Sequence, residues 1–131
     1  MHPRVTAKWG SAAREAKKTP STLVRIMEDL ADARLADPEL SPETLARELH
    51  VSVRTLQRAF AVTDESIMSY VRRKRLEEAR LALAGAARGL SLSELAAYWQ
   101  FSDRSHFIRA FKKQYGRTPA EYARSSRPDP R

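Results

Sequence analysis

Cysteine is absent from the 131 residues, which excludes disulfides, thiolate nucleophiles and cysteine-based zinc sites. No run approaches 18 consecutive apolar residues, so no transmembrane helix is expected. The basic N-terminal stretch has no apolar segment behind it, which argues against a secretory leader. Glycine is scarce, at four residues, and none falls in a phosphate-binding loop pattern. A nucleophile elbow, a metal motif and a clustered acid–base pair are likewise missing. No segment alternates with period two for long enough to argue a strand. The absences point to an all-α chain that is not an enzyme, uses no cofactor or metal and works in the cytoplasm.

What is abundant is positive charge, a net +8, and its placement is uneven. Residues 1–20 carry five basic side chains and one acidic, whereas residues 21–50 carry three basic and seven acidic. Residues 101–131 return to eight basic against three acidic. A protein that turns one basic face to a polyanion and keeps an acidic flank away from it would have this asymmetry. A solubilising charge excess is the alternative, and charge alone does not separate the two.

Start and stop signals divide the chain. Residues 1–18 lack a sustained apolar period and read as a basic linker or tail. Thr19-Pro20 opens a helix with Leu23, Ile26, Met27, Leu30 and Ala33 on one side, and Asp37-Pro38 is expected to stop it. Ser41-Pro42 opens the next, with Leu45, Ala46 and Leu49 inward. After the turn His50-Val51-Ser52, Ser52 caps a helix burying Val53, Leu56, Ala59 and Phe60. A long helix from near Ser66 to Ala84 buries Ile67, Val71, Leu76, Ala79 and Leu83, and exposes Arg72, Arg73, Lys74 and Arg80. Ser91 or Ser93 caps the helix of Leu92, Leu95, Ala96 and Trp99. Asp103 caps one carrying Phe107, Ala110, Phe111 and Tyr115, which Gly116 ends. Thr118-Pro119 starts a last helix through Tyr122. Tyr98, Trp99 and the phenylalanines are read as core, and Glu77-Glu78 as i,i+4 ion pairing on the long helix.

An internal repeat organises these elements. Ser41, Leu45, Ala46, Val51 and Ser52 recur fifty residues on as Ser91, Leu95, Ala96, Phe101 and Ser102. Arg58-Ala59-Phe60 recurs at an offset of 51 as Arg109-Ala110-Phe111. The one-residue change falls at the turn and aligns the cap Ser52 with Asp103. Each copy is a helix, a short turn and a second helix, the plan whose second helix enters the DNA major groove. The expected architecture is two helix-turn-helix subdomains, 19–64 and 86–124, joined by a linker helix, 65–85, with a disordered tail at 125–131. At about 1.5 Å per residue the linker helix spans roughly 27 Å. Adding the flanking units brings the recognition helices to about 34 Å apart, one turn of duplex.

The segments SPETLARELHVSVRTLQRAF, RLEEARLAL and LSELAAYWQFSDRSHFIRAFKKQYGRTPAEYAR resemble the DNA-binding domain of AraC/XylS-type bacterial transcription regulators over about residues 22–124. The most specific part is the ending Gly116, Pro119, Tyr122 after the second unit. The family often has glycine where this chain has His50, Gln100 and Asp64. The resemblance implies a seven-helix bilobed fold and a role in activating or repressing promoters. RNA polymerase is then the expected protein partner. Many members carry an N-terminal effector-binding or dimerisation domain. This chain lacks one, so it is expected to be either a fragment or a stand-alone small member.

Both the helical wheel and the resemblance nominate the same DNA-facing residues. In the first unit they are Arg54, Gln57 and Arg58; in the second, Arg104, Ser105, His106, Arg109 and Lys112. Arginine can grip guanine O6 and N7 in bidentate fashion, and glutamine can do the same for adenine. His106 can donate to a base or phosphate, and Lys112 suits phosphate. Pairing of Arg58 and Arg109 with Glu48 or Glu94 is the alternative, as is simple solvation of Gln57. Two rival classes remain at this point: a protein-interaction module using the acidic helix of Glu28, Asp29 and Asp32, and an RNA binder. Paired helix-turn-helix units suit B-form DNA better than the deep, narrow groove of A-form RNA.

Overall fold

The computed structural model describes residues 19–85 and 89–126, so the expected basic tail at 1–18 lies outside the described residues. Among the described residues there are seven α-helices and no strand. In order they are α1 (Pro20–Asp32), α2 (Pro42–Leu49), α3 (Val53–Phe60), α4 (Ile67–Ala84), α5 (Leu92–Tyr98), α6 (Arg104–Tyr115) and α7 (Pro119–Ser126). A 3₁₀ turn, Ala61–Thr63, follows α3. No described helix is long and apolar enough to cross a membrane. The chain divides into two compact units between Arg72 and Arg73, inside the 18-residue α4.

In the first unit α1 packs on α2 and α3, and α2 packs on α3. Leu23, Met27, Leu30, Leu45, Leu49, Leu56 and Phe60 meet there, each sealed from solvent. Burying a side chain of this size stabilises by about 1.5–3 kcal/mol relative to exposure. The inward stripe of α1 takes Val24 and Ala31, while Ile26 is half-buried and Ala33 exposed. Helix α1 also ends before Asp37-Pro38, at Asp32. The intervening turn is pinned by Arg34, which bonds Asp37 at 3.1 Å and also pairs with Glu48. That turn sends Leu35 and Leu40 into the core, although neither belongs to a helical period. Tyr70, on the first turns of α4, meets Phe60 edge-on at 5.6 Å and donates its hydroxyl to Asp32 at 2.8 Å.

The second unit gathers Leu76, Ala79, Leu83, Leu95, Ala96, Phe101, Phe107 and Phe111. Phe111 meets Phe107, Tyr115 and Tyr122 with ring centroids 4.7 to 5.9 Å apart. Four sequence readings need correction in this unit. Tyr98, read as core, is 58% exposed, while its neighbour Trp99 is half-buried against the core. Arg80, read as exposed, is half-buried and bonded to Glu77 and to the Tyr122 hydroxyl. Glu77 therefore pairs at i,i+3 rather than i,i+4. Finally, α7 runs past Tyr122 to Ser126, through positions read as disordered tail. The Ser125 hydroxyl bonds the Tyr122 carbonyl and accepts from Arg117, which also lies over the Tyr122 ring.

Candidate nucleic-acid interface

The two helix-turn-helix units repeat in their hydrogen bonds as well as in their residues. Helix α2 starts at Ser41, whose hydroxyl accepts from the Thr44 N–H while the Thr44 side chain accepts from the Ser41 N–H. Helix α5 starts at Ser91 in the same reciprocal box with Glu94, which selects Ser91 over Ser93 as the cap. At the turns, Val51 N–H donates to the Ala46 carbonyl at 3.1 Å, and Phe101 N–H to the Ala96 carbonyl at 2.9 Å. His50 and Gln100 hold equivalent left-handed conformations, φ 59° and 68°. Among the described residues Asp64 is the third non-glycine residue at positive φ, at 62°, where α3 and its 3₁₀ turn give way to α4.

Each recognition helix is then capped at its own start. Ser52 accepts from the Thr55 N–H at 3.0 Å, and Asp103 from the His106 N–H at 2.8 Å. Capping satisfies an N–H that the first turn of a helix otherwise leaves unpaired. With Leu56, Ala59 and Phe60 buried, α3 leaves Arg54, Gln57 and Arg58 exposed. With Phe107 and Phe111 buried, α6 leaves Arg104, Ser105, Arg109 and Lys112 exposed and His106 half-buried. The structure thus gathers the predicted residues into two sets, one on each recognition helix.

Neither alternative pairing of the arginines is formed among the described residues. Glu48 is taken by Arg34, and Glu94 accepts the Ser91 N–H at 2.8 Å. The guanidinium groups of Arg54, Arg58, Arg104 and Arg109 make no hydrogen bond or ion pair among the described residues. Four exposed cations on two capped helices thus have no counter-ion among the described residues. No group of three histidine or acidic side chains among the described residues is placed to hold a metal ion.

Behind α6 lies a polar network that helical periodicity does not reveal. The Tyr115 hydroxyl donates to Glu77 at 2.9 Å, and Arg80 donates to the Tyr122 hydroxyl at 2.8 Å. The Arg80 hydrogen bond, aided by that from Tyr115, holds the Glu77 carboxyl below the ordinary range against the opposing effect of burial. Burial first, then the bond to Glu77, pushes the Tyr115 hydroxyl up to about 12. Ser102 also escaped the sequence reading: its Oγ lies 3.1 Å from His106 Nδ1. The signal for it was present in the one-residue change of repeat offset.

Fold and site together define an all-α protein with two helix-turn-helix units, each presenting a capped, basic second helix. A family model described as a helix-turn-helix domain matches residues 45–125. The chain belongs to the AraC/XylS-type family of helix-turn-helix transcription regulators. It is 40% identical over 91 residues to the transcriptional regulator Rob of Salmonella typhimurium, covering 69% of this chain and 31% of that protein. It is 39% identical over 90 residues to the right origin-binding protein of Escherichia coli K12, covering 68% of this chain and 30% of that one. The crystal structure of a probable AraC family transcriptional regulator from Rhodopseudomonas palustris superposes with a TM-score of 0.72 at 28% identity, covering 80% of this chain and 97% of the other. The chain spans about a third of the length of the curated relatives it matches.

Proposed function

We propose that the chain is the sequence-specific, double-stranded DNA-binding part of a transcription regulator, reading two successive major-groove segments with α3 and α6. The observation that carries this reading is the unpaired arginine set on two capped helices: Arg54 and Arg58 on one, Arg104 and Arg109 on the other. A helix presented this way inserts its N-terminal turns toward base edges. Arg54 and Arg104 occupy those turns, with Gln57, Ser105 and His106 beside them. Lys112, further along α6, suits a phosphate that fixes register without reading sequence. No catalytic role is proposed for any residue. A regulator of this class works on promoters in the cytoplasm, where RNA polymerase is its natural protein partner, and membership of the family supports both.

Selection of bound duplexes from a random DNA pool, with the footprint measured, tests the reading. Two defined half-motifs about one helical turn apart are expected. A single short motif would restrict base reading to one unit, and recovery of no motif would defeat the proposal.

A further inference from the structure

The change of repeat offset has a consequence at Ser102. In the first unit the residue before the recognition helix, Ser52, is itself the cap, and its hydroxyl is spent on the Thr55 N–H and Thr55 Oγ1. In the second unit the extra residue, Asp103, takes over capping. Ser102 is released from that task, and its Oγ lies 3.1 Å from His106 Nδ1. The Phe101 ring stands nearly perpendicular to the imidazole, 71° between planes and 5.5 Å between centroids. The imidazole is therefore held from two sides by the turn that precedes its helix. Its second nitrogen, Nε2, has no hydrogen-bond partner among the described residues.

We propose that Ser102 is a positioning residue for DNA recognition by His106. Its hydroxyl donates to Nδ1, which leaves the ring proton on Nε2. The first turn of α6 then presents a fixed N–H donor to an acceptor on the duplex, either a phosphate oxygen or guanine N7/O6. The bond made by one imidazole nitrogen decides what the other can offer. The opposite tautomer would turn a bare lone pair toward DNA acceptors and be repelled. A ring oriented before binding also loses less rotamer freedom when the complex forms. This inference rests on the DNA reading above and names a residue outside the helix that serves it.

The test uses the whole chain on a duplex selected as above and on a random duplex, with Ser102→Ala, Ser102→Thr, His106→Ala, the Ser102→Ala/His106→Ala double variant and Arg109→Ala. Ser102→Ala is expected to bind the selected duplex about fivefold more weakly, as for one lost hydrogen bond. The double variant should be no weaker than His106→Ala alone, and Ser102→Thr, which keeps the hydroxyl, should restore binding. Nitrogen-15 spectra of the imidazole at about pH 8 should show the proton on Nε2, with a tautomer mixture appearing in Ser102→Ala. Equal loss on both duplexes assigns a phosphate acceptor and loss on the selected duplex alone assigns a base edge; either supports the proposal. Additive losses in the double variant, or an imidazole spectrum unchanged by Ser102→Ala, overturn it. If His106→Ala binds normally while Arg109→Ala does not, this inference falls and the groove reading stands. If neither variant weakens binding, the groove reading of α6 falls as well.

Discussion

The Tyr115 hydroxyl donates to Glu77 Oε1 at 2.9 Å, joining the last residue of the second recognition helix to α4. Arg80 completes the arrangement by holding Glu77 with one end and the Tyr122 hydroxyl with the other. It lies 5.8 Å from both tyrosine ring centroids. Helix α6 is thus capped at its N-terminus by Asp103 and tied to α4 at its C-terminus by a charged network. A groove-reading helix needs both ends fixed, because small errors of tilt at its base displace side chains at its tip.

The network makes stability depend on pH at the alkaline end. Tyr115 is raised from its ordinary 10 to about 12, so the folded chain keeps this proton to higher pH than the unfolded chain does. The stabilisation is complete below pH 10 and is lost as pH rises through about 12. Thermal melts between those limits should fall more steeply for the native chain than for Tyr115→Phe. At neutral pH the same variant should cost about 1–2 kcal/mol, the worth of a partly exposed bond to a carboxylate. Parallel slopes would remove Tyr115 from the network.

His50 supplies a second stability prediction. A residue with a Cβ in the left-handed region costs about 1–2 kcal/mol there, and glycine adopts the conformation freely. His50→Gly should therefore stabilise by about 1 kcal/mol after glycine's larger unfolded-state entropy is counted, and His50→Ala should not stabilise. Gln100→Gly should gain less, because the Gln100 side chain donates to the Tyr98 carbonyl at 3.1 Å. Chemical denaturation midpoints decide the matter: an equal gain from alanine and glycine at position 50 would refute backbone strain as the cause.

The turns were legible in the sequence because they depend on local chemistry. Ser41, Ser52, Ser91 and Asp103 each announce a helix start, and the repeat marks α3 and α6 as corresponding helices of their units. What escaped depends on contacts distant in sequence. Leu35 and Leu40 are buried by a turn held through Arg34 and Glu48, which no helical period encodes. Tyr98 is aromatic yet exposed, because Leu95 and Ala96 already face the core from the short α5. Arg80 looked like one more exposed cation until Tyr122 closed over it from α7. The exposed polar residues of α3 and α6 were the easier half, since amphipathic helices show their outer face by leaving it polar.

Phe111 is the aromatic centre of the second unit and fully buried. Phe111→Ala should cost about 3–5 kcal/mol through the cavity it leaves. Contacts with three other rings place the expectation toward the upper end. Phe111→Leu should recover a large part of the loss in the same denaturation experiment. A loss under about 1 kcal/mol for alanine would mean that the surrounding rings collapse into the gap.

Binding should be steeply salt-dependent. Neutralising six or more phosphates releases as many condensed counterions, so affinity should drop about a thousandfold between 50 and 200 mM salt. Lys112→Ala should lower the slope of log affinity against log salt by about one and weaken selected and random duplexes alike. A salt-insensitive complex would be inconsistent with a phosphate-tracking surface.

Arg54 and Arg104 carry the sharpest expectation. Each lies in the first turn of its helix, exposed and without a partner among the described residues, where a guanidinium can bridge guanine O6 and N7. Arg54→Ala and Arg104→Ala should each relax discrimination at one defined base pair by about 1–3 kcal/mol and leave the other half-motif unchanged. Arg→Lys at the same positions should fail to restore discrimination, because a point charge cannot form the paired bond. Competition binding against single-base variants of the selected duplex measures this directly. Equal losses on every variant would reassign both arginines to the phosphate backbone. Sequence reading would then have to come from Gln57, Ser105 and Arg109.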